Sequence, residues 1–495
     1  MLQRLRFQLS RCSIGLALCA LSGLASAAPT ACRVPGISSE AQCGVLKRPL
    51  DPAKPGGTQI EVHYLVVPAL ARNKLPDPVL FLAGGPGQSA TRLAPKVIGR
   101  FARILNRRDL VFVDQRGTGK SAPLECPDED ALNLPLKDLL DPEQQTARLA
   151  QCRAKLEKLP YGDLRQFTTT IAMQDVDAVR ADLGAERWNV IGGSYGTRAG
   201  LEYLRQFPQH VRRLVIDGVA PPDMVLPATM SQDAQAALDA EFAACARDSA
   251  CAARYPHLHE EWTTLLRSLP HAVSVYDPRS GRQQEFKLER EALLSLVRSA
   301  LYVPSLTSAL PTAIHAAARG QFEGLFGLAS GLGGGGGKGP EIAAGMHYSV
   351  ICAEDAPRMS DSAESAGTDF GNIIAQHYSQ ICKNWPRGAV PAAFYTVPAA
   401  KSPVLLLSGG VDPVTPPRHA ERMAKALGPL AQQVIVPQSG HGVMSIACVG
   451  DVIFRFIDAK EDAQASPVDA ACATAIPRPP AFIPPGLKST EGDAP

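Results

Sequence analysis

A serine stands in the middle of a glycine-rich run that could present it as a nucleophile. Residues 192–196 read Gly-Gly-Ser-Tyr-Gly, which matches the pattern G-x-S-x-G with Ser194 at its centre. The run directly follows the apolar segment 188–191 and precedes a helical pattern. A sharp turn between a strand and a helix accepts only small residues beside the serine and exposes its hydroxyl. The five-residue pattern is common, but this setting predicts that Ser194 attacks a carbonyl.

An acid and a histidine follow in the order that such a nucleophile requires. Asp412 lies in a glycine- and proline-rich stretch just after the apolar run 404–407. His441 lies in Ser-Gly-His-Gly, just after the apolar run 434–436. A histidine can take and return the serine proton, and an acid fixes the tautomer of its imidazole. Each residue alone could be an ordinary turn residue, but the order serine, acid, histidine predicts a triad of Ser194, His441 and Asp412.

Main-chain amides near the serine would have to stabilise the negative oxygen that forms during attack. The apolar run 79–83 leads into Gly-Gly-Pro-Gly at 84–87. A glycine turn at this place lets N–H groups point at a developing oxyanion. We expect the amides of Gly85 and Tyr195 to form the oxyanion hole. The alternative is an ordinary turn, since glycine and proline form turns in many settings.

Short apolar runs would position these residues at the ends of buried strands. Each run ends in glycine or a turn, and helical patterns such as 172–183 and 198–207 lie between some of them. The runs are residues 79–83, 110–113, 188–191, 214–216, 404–407 and 434–436. This alternation predicts an α/β protein with a doubly wound, mostly parallel sheet.

The strand pattern stops over residues 223–395, where helical patterns dominate, and then resumes. We therefore expect a mainly helical cap over 223–395, inserted into a core that is formed by 29–222 and 396–472. Five consecutive glycines at 333–337 predict a flexible loop within the insertion. A proline-rich tail is expected over 473–495.

Residues 1–28 have the features of a secretory signal peptide. They begin with three arginines, continue with an uncharged, mostly apolar stretch over 14–24, and end in the small residues 25–27. The apolar stretch falls short of the roughly 20 residues that a membrane-spanning helix needs. We therefore expect a protein that is exported to the periplasm or the medium, without stable insertion into a membrane.

The charge balance gives no reason to expect nucleic acid as a partner. The chain has 50 Lys+Arg and 48 Asp+Glu, and loss of the three leader arginines would change the net charge from +2 to −1. Residues 114–121 end in Gly-Lys-Ser, but an aspartate stands where a phosphate loop needs its first glycine. No cofactor is expected. No metal is expected either, because no Cys-x-x-Cys pair occurs in the sequence. The oligomeric state stays open.

The cysteine count is consistent with export. Two of the twelve cysteines lie in the leader, and an even number in the remaining chain is typical of disulfide bonds in an oxidising compartment. The sequence does not determine their connectivity. Pairing of neighbours is the simplest prediction, which gives Cys32–Cys43, Cys126–Cys152, Cys245–Cys251, Cys352–Cys382 and Cys448–Cys472.

Several of these motifs together resemble α/β-hydrolase serine peptidases of the proline iminopeptidase and tripeptidyl aminopeptidase type. The resemblance rests on the serine turn, the Gly-Gly-Pro-Gly at 84–87 and the Asp-Gln-Arg-Gly-x-Gly-x-Ser string at 114–121. The region around Asp412 is similar to the C-terminal part of secreted tripeptidyl aminopeptidases. The resemblance implies an α/β-hydrolase fold, a helical cap over the active site and metal-free release of residues from free peptide N-termini. Proline iminopeptidases usually have histidine where this chain has Ala83, which favours the secreted branch.

An enzyme of that kind must recognise a positively charged α-amine, and a carboxylate would give a charge-assisted anchor. The segment 348–355 resembles a cap segment of the secreted branch in which an acid follows a disulfide cysteine. Glu354 is therefore the first candidate for binding the amine, and Asp355 is the second. The alternative is that both are ordinary solvated acids.

These observations predict an exported serine aminopeptidase that cleaves short peptides near their free N-termini. An esterase or amidase acting on small non-peptide substrates would use the same triad, so it remains an alternative. A non-catalytic binding protein on a hydrolase scaffold is the third hypothesis, with less support because all catalytic positions are filled. The sequence predicts neither the number of residues released nor the preferred side chain.

Overall fold

The computed structural model describes residues 28–126, 134–331, 342–359 and 367–484. The predicted leader, apart from its last residue, lies outside this part of the chain, as do the glycine run 333–337 and the end of the proline-rich tail. Over the described ranges, no helix combines the length and the apolar character that crossing a membrane requires.

Nine of the eleven strands in the described part of the chain form one sheet. The strands are β1 (Thr30–Cys32), β2 (Ala41–Pro49), β3 (Gln59–Val67), β4 (Val79–Leu82), β5 (Leu110–Val113), β6 (Trp188–Gly193), β7 (Val211–Asp217), β8 (His271–Tyr276), β9 (Gln283–Leu288), β10 (Val404–Gly409) and β11 (Ala431–Val436). The order in the sheet is β1-β2-β3-β5-β4-β6-β7-β10-β11. Pairing is antiparallel from β1 to β5 and parallel from β5 to β11.

Helices cover both faces of this sheet. The helices are α1 (Ala90–Val97), α2 (Ala102–Leu105), α3 (Leu136–Leu140), α4 (Pro142–Leu156), α5 (Thr169–Asp182), α6 (Tyr195–Gln206), α7 (Leu226–Arg247), α8 (Ser249–Arg254), α9 (Leu258–Arg267), α10 (Arg290–Leu301), α11 (Pro304–Thr307), α12 (Leu310–Ala317), α13 (Glu323–Gly331), α14 (Ala344–Glu354), α15 (Ile373–Cys382), α16 (Pro417–Leu427), α17 (Ala447–Asp458), α18 (Asp462–Ala465) and α19 (Ala471–Thr474). The side chains of α5, α6 and α16 pack on one face, and those of α1 and α17 pack on the other. The predicted doubly wound α/β fold is confirmed.

The central strands are continuous apolar runs because both of their faces are covered. Every residue of β4, β5 and β10 is buried. All six apolar runs that the sequence marks as strands lie in the parallel part of the sheet, and their ends differ from the strand ends by at most three residues. The antiparallel strands β2 and β3 are not among these runs, because exposed polar residues occur along β2 and in the first half of β3.

A long insertion separates two strands that are neighbours in the sheet. β7 and β10 are parallel partners, with Leu214 opposite Val404, although the chain between them includes α7 to α15. Helices dominate the described part of this insertion, and β8 and β9 add a hairpin that the sequence does not predict.

The insertion has two parts that pack differently. Helices α7, α9, α10 and α12 and the hairpin enclose a separate apolar core that includes Trp262, Leu293 and Ile314. In contrast, Met346 on α14 and Cys382 on α15 belong to the apolar core on one face of the main sheet. The segment that begins at α14 therefore packs with the hydrolase core, although it lies within the predicted cap.

Five disulfide bonds join the chain at the pairs predicted from neighbour order. Their Cα–Cα distances range from 5.0 to 6.2 Å, which are ordinary values for a disulfide. Cys352–Cys382 connects α14 to α15. This bond bears on the site, because both helices contribute residues to it.

The string at 114–121 forms part of the scaffold. Asp114 accepts hydrogen bonds from the Ser89 hydroxyl (2.7 Å) and the Thr91 amide (3.0 Å), which fixes the end of β5 to the start of α1. Arg116 is fully buried and donates from Nε to Asp175 on α5 at 2.7 Å. The carboxylate of Asp114 and the guanidinium of Arg116 are thus engaged within the protein.

Candidate active site

Ser194 occupies a strained turn between β6 and α6. Its φ of 54° is a left-handed value that non-glycine residues rarely adopt. A Cβ atom at Gly192 would lie 2.2 Å from the carbonyl oxygen of Gly196, and one at Gly196 would lie 2.2 Å from that of Leu82. Both positions therefore require glycine. The hydroxyl of Thr197 donates to the carbonyl of Ser194 at 2.6 Å and fixes the turn from the helix side.

The register of the sheet brings three chain segments to one edge. Ser194 follows β6, Asp412 follows β10 and His441 follows β11. These strands and β7 are consecutive parallel neighbours, so their carboxyl ends lie at the same edge. In the sheet register, Gly193 lies opposite Asp217, Leu407 lies opposite Asp217, and Gly409 lies opposite Val436. The ends of the four strands are therefore aligned.

His441 and Asp412 are hydrogen-bonded. Nδ1 of His441 lies 2.8 Å from Oδ2 of Asp412, which also accepts the hydroxyl of Thr415 at 2.8 Å. The other carboxylate oxygen accepts the amides of Val414 (2.8 Å) and Thr415 (2.9 Å). Four donors thus hold the buried carboxylate in one orientation. With Nδ1 donating to Asp412, Nε2 is the ring nitrogen left to accept a proton.

The pKa directions of this pair agree with their contact. Burial alone would raise the pKa of Asp412, but the attraction of His441 and the hydrogen bonds hold that pKa below its usual value. Burial alone would lower the pKa of His441, but the Asp412 charge outweighs this effect and raises it. The lowered pKa of the acid and the raised pKa of the histidine both favour the ion pair that forms when the imidazole takes a proton.

The insertion supports His441 from the opposite side. The amide of His441 donates to the carbonyl of Tyr302, just after α10, at 3.0 Å. The two rings are in edge contact with centroids 5.4 Å apart. Nη1 of Arg298 donates to the Tyr302 hydroxyl at 3.2 Å. Sequence reasoning missed both residues, since a tyrosine at a helix end has no distinctive pattern.

A cavity of about 60 Å³ borders Ser194. Gly85 and Tyr195, whose amides are the predicted oxyanion donors, both line it. A Cβ atom at Gly84 would lie 3.2 Å from Cβ of Ser194, so the loop 84–87 lies against the serine. The structure thus brings the predicted nucleophile and both predicted amide donors together around one small space.

A histidine that the sequence analysis did not single out also lines this cavity. Nδ1 of His347 on α14 lies 3.1 Å from the carbonyl oxygen of Pro86, and Nε2 lies 2.9 Å from the hydroxyl of Tyr378 on α15. A carbonyl only accepts hydrogen bonds, so Nδ1 carries the hydrogen and Nε2 accepts from Tyr378. Burial lowers the pKa of His347, which favours this neutral ring.

The predicted amine anchors lie elsewhere. The side chains of Glu354, Asp355 and Arg198 are fully buried and do not line the cavity next to Ser194. Asp355 binds Arg198 through both oxygens, at 2.9 and 3.1 Å, and Glu354 accepts the amide of Thr169 at 2.8 Å. The expectation that these acids face the substrate is therefore corrected, because a buried cation and main-chain donors engage them. Burial raises the pKa of Glu354 to about 7.

A second cavity of about 290 Å³ lies on the other side of Tyr378. Tyr378 lines both cavities, and Arg298 and Glu291 on α10 line the larger one together with apolar side chains such as Leu294 and Ile374. The site is thus bordered by a larger, mixed polar and apolar space. In the described part of the chain, no group of three or more His, Cys, Asp or Glu side chains could hold a metal ion.

Two family models match this chain, and each extends into the insertion. The α/β hydrolase fold model matches residues 77–299, which contain the Ser194 turn. A model described as TAP-like protein matches residues 367–468, which contain Asp412 and His441. The chain has the α/β-hydrolase fold. The TAP-like match includes the region around Asp412, whose sequence is similar to the C-terminal part of secreted tripeptidyl aminopeptidases.

Curated relatives of this α/β hydrolase include peptidases and an esterase. A tripeptidyl aminopeptidase of Streptomyces lividans is 33% identical over 195 residues, which are 37% of this chain and 36% of that protein. The serine protease Hip1 of Mycobacterium tuberculosis is 32% identical over 204 residues, which are 39% of this chain and 38% of that protein. Carboxylesterase B of Mycobacterium tuberculosis is 28% identical over 414 residues, or 78% of each chain. The alignments with the two peptidases span only about a third of their length.

Proposed function

We propose that this α/β hydrolase is a serine peptidase that acts on short peptides with a free N-terminus. The observation that carries the proposal is the hydrogen-bonded pair of His441 and Asp412, at the same sheet edge as the strained turn of Ser194. Matches to a tripeptidyl aminopeptidase and to the serine protease Hip1 support the choice of peptide substrates.

The geometry supports an acyl-enzyme route. Nε2 of His441 takes the proton as the hydroxyl of Ser194 attacks the carbonyl carbon, and the Asp412 carboxylate stabilises the resulting imidazolium. The amides of Gly85 and Tyr195 donate to the oxyanion of the tetrahedral intermediate. His441 then gives its proton to the leaving amine. Water attacks the acyl-enzyme by the same sequence and releases the N-terminal product.

The second cavity supports a peptide substrate over a small ester. The space next to Ser194 is about 60 Å³, whereas the space beyond Tyr378 is about 290 Å³. We propose that residues on the N-terminal side of the scissile bond enter this larger cavity. Glu291 lies on its wall and replaces Glu354 and Asp355 as the proposed anchor for the free amine.

Export is part of the proposal. Five disulfide bonds are typical of proteins that fold in an oxidising compartment. The leader predicted for residues 1–28 would direct the chain there. N-terminal sequencing of the protein recovered from the periplasm or medium tests this point, and a start near residue 29 is expected. A mature protein that retains Met1 inside the cell would contradict it.

An esterase is the second candidate, because the match to Carboxylesterase B covers 78% of this chain. Three chromogenic substrates separate the candidates: a tripeptide anilide with a free amine, the same anilide N-acetylated, and a short-chain nitrophenyl ester. The peptidase proposal expects kcat/KM to be highest for the free anilide. A preference for the acetylated anilide or the ester would reject it in favour of the alternative.

The third hypothesis, a non-catalytic binding protein, needs a separate test. A fluorophosphonate probe labels an activated serine regardless of the natural substrate. We expect labelling of the wild-type protein and loss of labelling in Ser194→Ala. Absence of labelling in the folded wild type would support the binding protein.

A further inference from the structure

Asp217 is a buried carboxylate that the proposed mechanism does not use. It is the last residue of β7, between the strand that precedes Ser194 and the strand that precedes Asp412, and its residue exposure is 0%. Over the ranges that the structure describes, no lysine, arginine or histidine forms a direct ion pair with its carboxylate, and Arg100 attracts it only at longer range. A buried acid without a direct ion-pair partner is costly unless hydrogen bonds compensate for the lost water.

All three oxygen atoms of Asp217 accept main-chain hydrogen bonds from the catalytic segments. Its carbonyl accepts the amide of Ser194 at 2.8 Å. Oδ1 accepts the amide of Val443 at 3.0 Å, and Oδ2 accepts the amide of Met444 at 2.7 Å. Val443 and Met444 are the second and third residues after His441. One residue thus binds both the turn that presents Ser194 and the loop that carries His441.

The neighbouring residue shows how closely this end of β7 approaches the imidazole. A Cβ atom at Gly218 would lie 3.1 Å from Cε1 of His441. The amide of Gly218 donates to Leu407 on β10 at 3.0 Å, so this position is fixed by the sheet. The end of β7 therefore lies against the imidazole and is itself held by the neighbouring strand β10.

An aspartate suits these contacts better than its neutral isostere. Each carboxylate oxygen faces one N–H donor, and an ionised carboxylate accepts at both oxygens. An asparagine would accept at its oxygen but place an N–H group against the second amide. The arrangement of the two donors therefore selects a carboxylate at this position.

We propose that Asp217 is a positioning residue that holds Ser194 and His441 at their working separation and adds a second negative charge next to the imidazole. The inference rests on the proposed hydrolase chemistry of Ser194. The charged and titratable groups around His441 are Asp412 at Nδ1, Asp217 on β7 and Tyr302 after α10, with Arg298 on the Tyr302 hydroxyl. Arg100 also interacts electrostatically with Asp217.

The test compares Asp217→Asn and Asp217→Glu with the wild type. Asp217→Asn loses one acceptor and the charge, so we expect kcat to fall about 100-fold with little change in KM, since displacement of reacting groups acts on the chemical step. Burial raises the pKa of Asp217 to about 6, so its carboxylate is charged above that pH and raises the pKa of His441 there. Without this anion, the acid limb of the kcat/KM profile should move to lower pH. Asp217→Glu keeps the charge but moves the acceptors, so kcat should fall while the acid limb stays in place.

Asp462→Asn is a matched control. The exposed side chain of Asp462 forms an ion pair with the buried Arg213, which lies on the same strand as Asp217 but away from its carboxyl end. We expect wild-type kinetics and an unchanged acid limb for this variant. Circular dichroism melting establishes that each variant is folded before its kinetics are compared.

The rate of fluorophosphonate labelling separates this inference from the choice of substrate. The probe reports activation of Ser194 even if no tested peptide is cleaved, so a wrong substrate class leaves the measurement valid. Slower labelling of both Asp217 variants supports the positioning role. If Asp217→Asn does not fold, Asp217→Glu carries the test. Wild-type labelling rate, kcat and acid limb in a folded Asp217 variant would overturn the proposal.

Discussion

The Nδ1 atom of His347 lies 3.1 Å from the carbonyl oxygen of Pro86, so α14 of the inserted segment holds the loop that carries Gly85. The contact continues along the chain, because the amide of Ala343 donates to the carbonyl of Gly87 at 2.9 Å. The loop 84–87, which we propose as the oxyanion loop, is therefore fixed by residues that lie more than 250 positions later in the sequence.

Replacement of His347 should lower turnover. His347→Phe keeps a planar ring but removes the donor to Pro86, so we expect kcat to fall roughly tenfold through loss of oxyanion geometry, with KM little changed. His347→Asn can place an N–H group close to the position of Nδ1 and should recover most of the loss. Steady-state kinetics on the free tripeptide anilide measures both effects. Wild-type kcat in His347→Phe would contradict this role.

The pH dependence should follow the raised pKa of His441. The imidazole must be neutral to take the Ser194 proton, so kcat/KM should rise with pH through a pKa above the usual value near 6.5. Asp412→Asn removes the main attraction for the proton, so the limb should move to lower pH while kcat falls by about 10⁴. A pH–rate profile from 5 to 9 measures the limb. A limb below pH 6 in the wild type would contradict the prediction.

Glu354 and Glu291 should differ in their effect on amine recognition. Glu291→Gln should raise KM for the free anilide and leave KM for the acetylated one unchanged, because only the free substrate has a positive amine. Glu354→Gln should leave that ratio unchanged, since the Glu354 carboxylate faces Arg198 and the Thr169 amide. The ratio of the two KM values is the measurement. The opposite pattern would restore Glu354 as the anchor.

Glu354 should also affect stability with a definite sign. Its folded pKa of about 7 lies above the ordinary value of 4.5, so the folded state holds the proton more tightly. The contribution of Glu354 to stability is therefore largest below pH 4.5 and is lost as pH rises to about 7. The stability of Glu354→Gln relative to the wild type should therefore increase as the pH is raised from 5 to 8. Urea unfolding at pH 5 and at pH 8 measures the difference in the free energy of unfolding between Glu354→Gln and the wild type. The same difference at the two pH values would contradict the prediction.

The bond between Cys352 and Cys382 should matter for activity as well as stability. It closes a loop of 30 residues, which corresponds to about 3.5 kcal/mol of chain entropy, and joins the helices that carry His347 and Tyr378. The double substitution to alanine should lower both Tm and kcat. Cys245–Cys251 spans only 6 residues within the separate core of the insertion, so its removal should lower Tm alone. Equal kcat in the two double variants would contradict the link to the site.

The sequence predicts the parallel strands and the order of the candidate triad because these signals are local. A buried parallel strand is an apolar run that ends in a turn, and the serine turn has its own glycine pattern. β2 has no such run, since exposed residues such as Lys47 interrupt it. In β3 the exposed Glu61 confines the apolar run to residues 64–67, which the sequence analysis did not count as a strand.

Residues that act through distant partners leave no local signal. Asp217, Tyr302 and His347 contact the segments of the candidate site through hydrogen bonds that cross up to 261 positions of sequence, and nothing in their own neighbourhoods marks them. For Glu354 and Asp355, in contrast, the sequence suggested a role in amine binding that the structure corrects. Two adjacent acids suggest an exposed anchor until the structure places Arg198, from the helix after the serine turn, against them.

The insertion enters and leaves between two adjacent strands, yet it supplies Tyr302 to the histidine loop and His347 to the oxyanion loop. Such an insertion cannot be exchanged between relatives as a free module. A recombinant that received a foreign insertion would lose supports of the catalytic machinery together with the specificity it was meant to change. Specificity is therefore expected to change more readily through single side chains of α10 and α15 on the walls of the larger cavity.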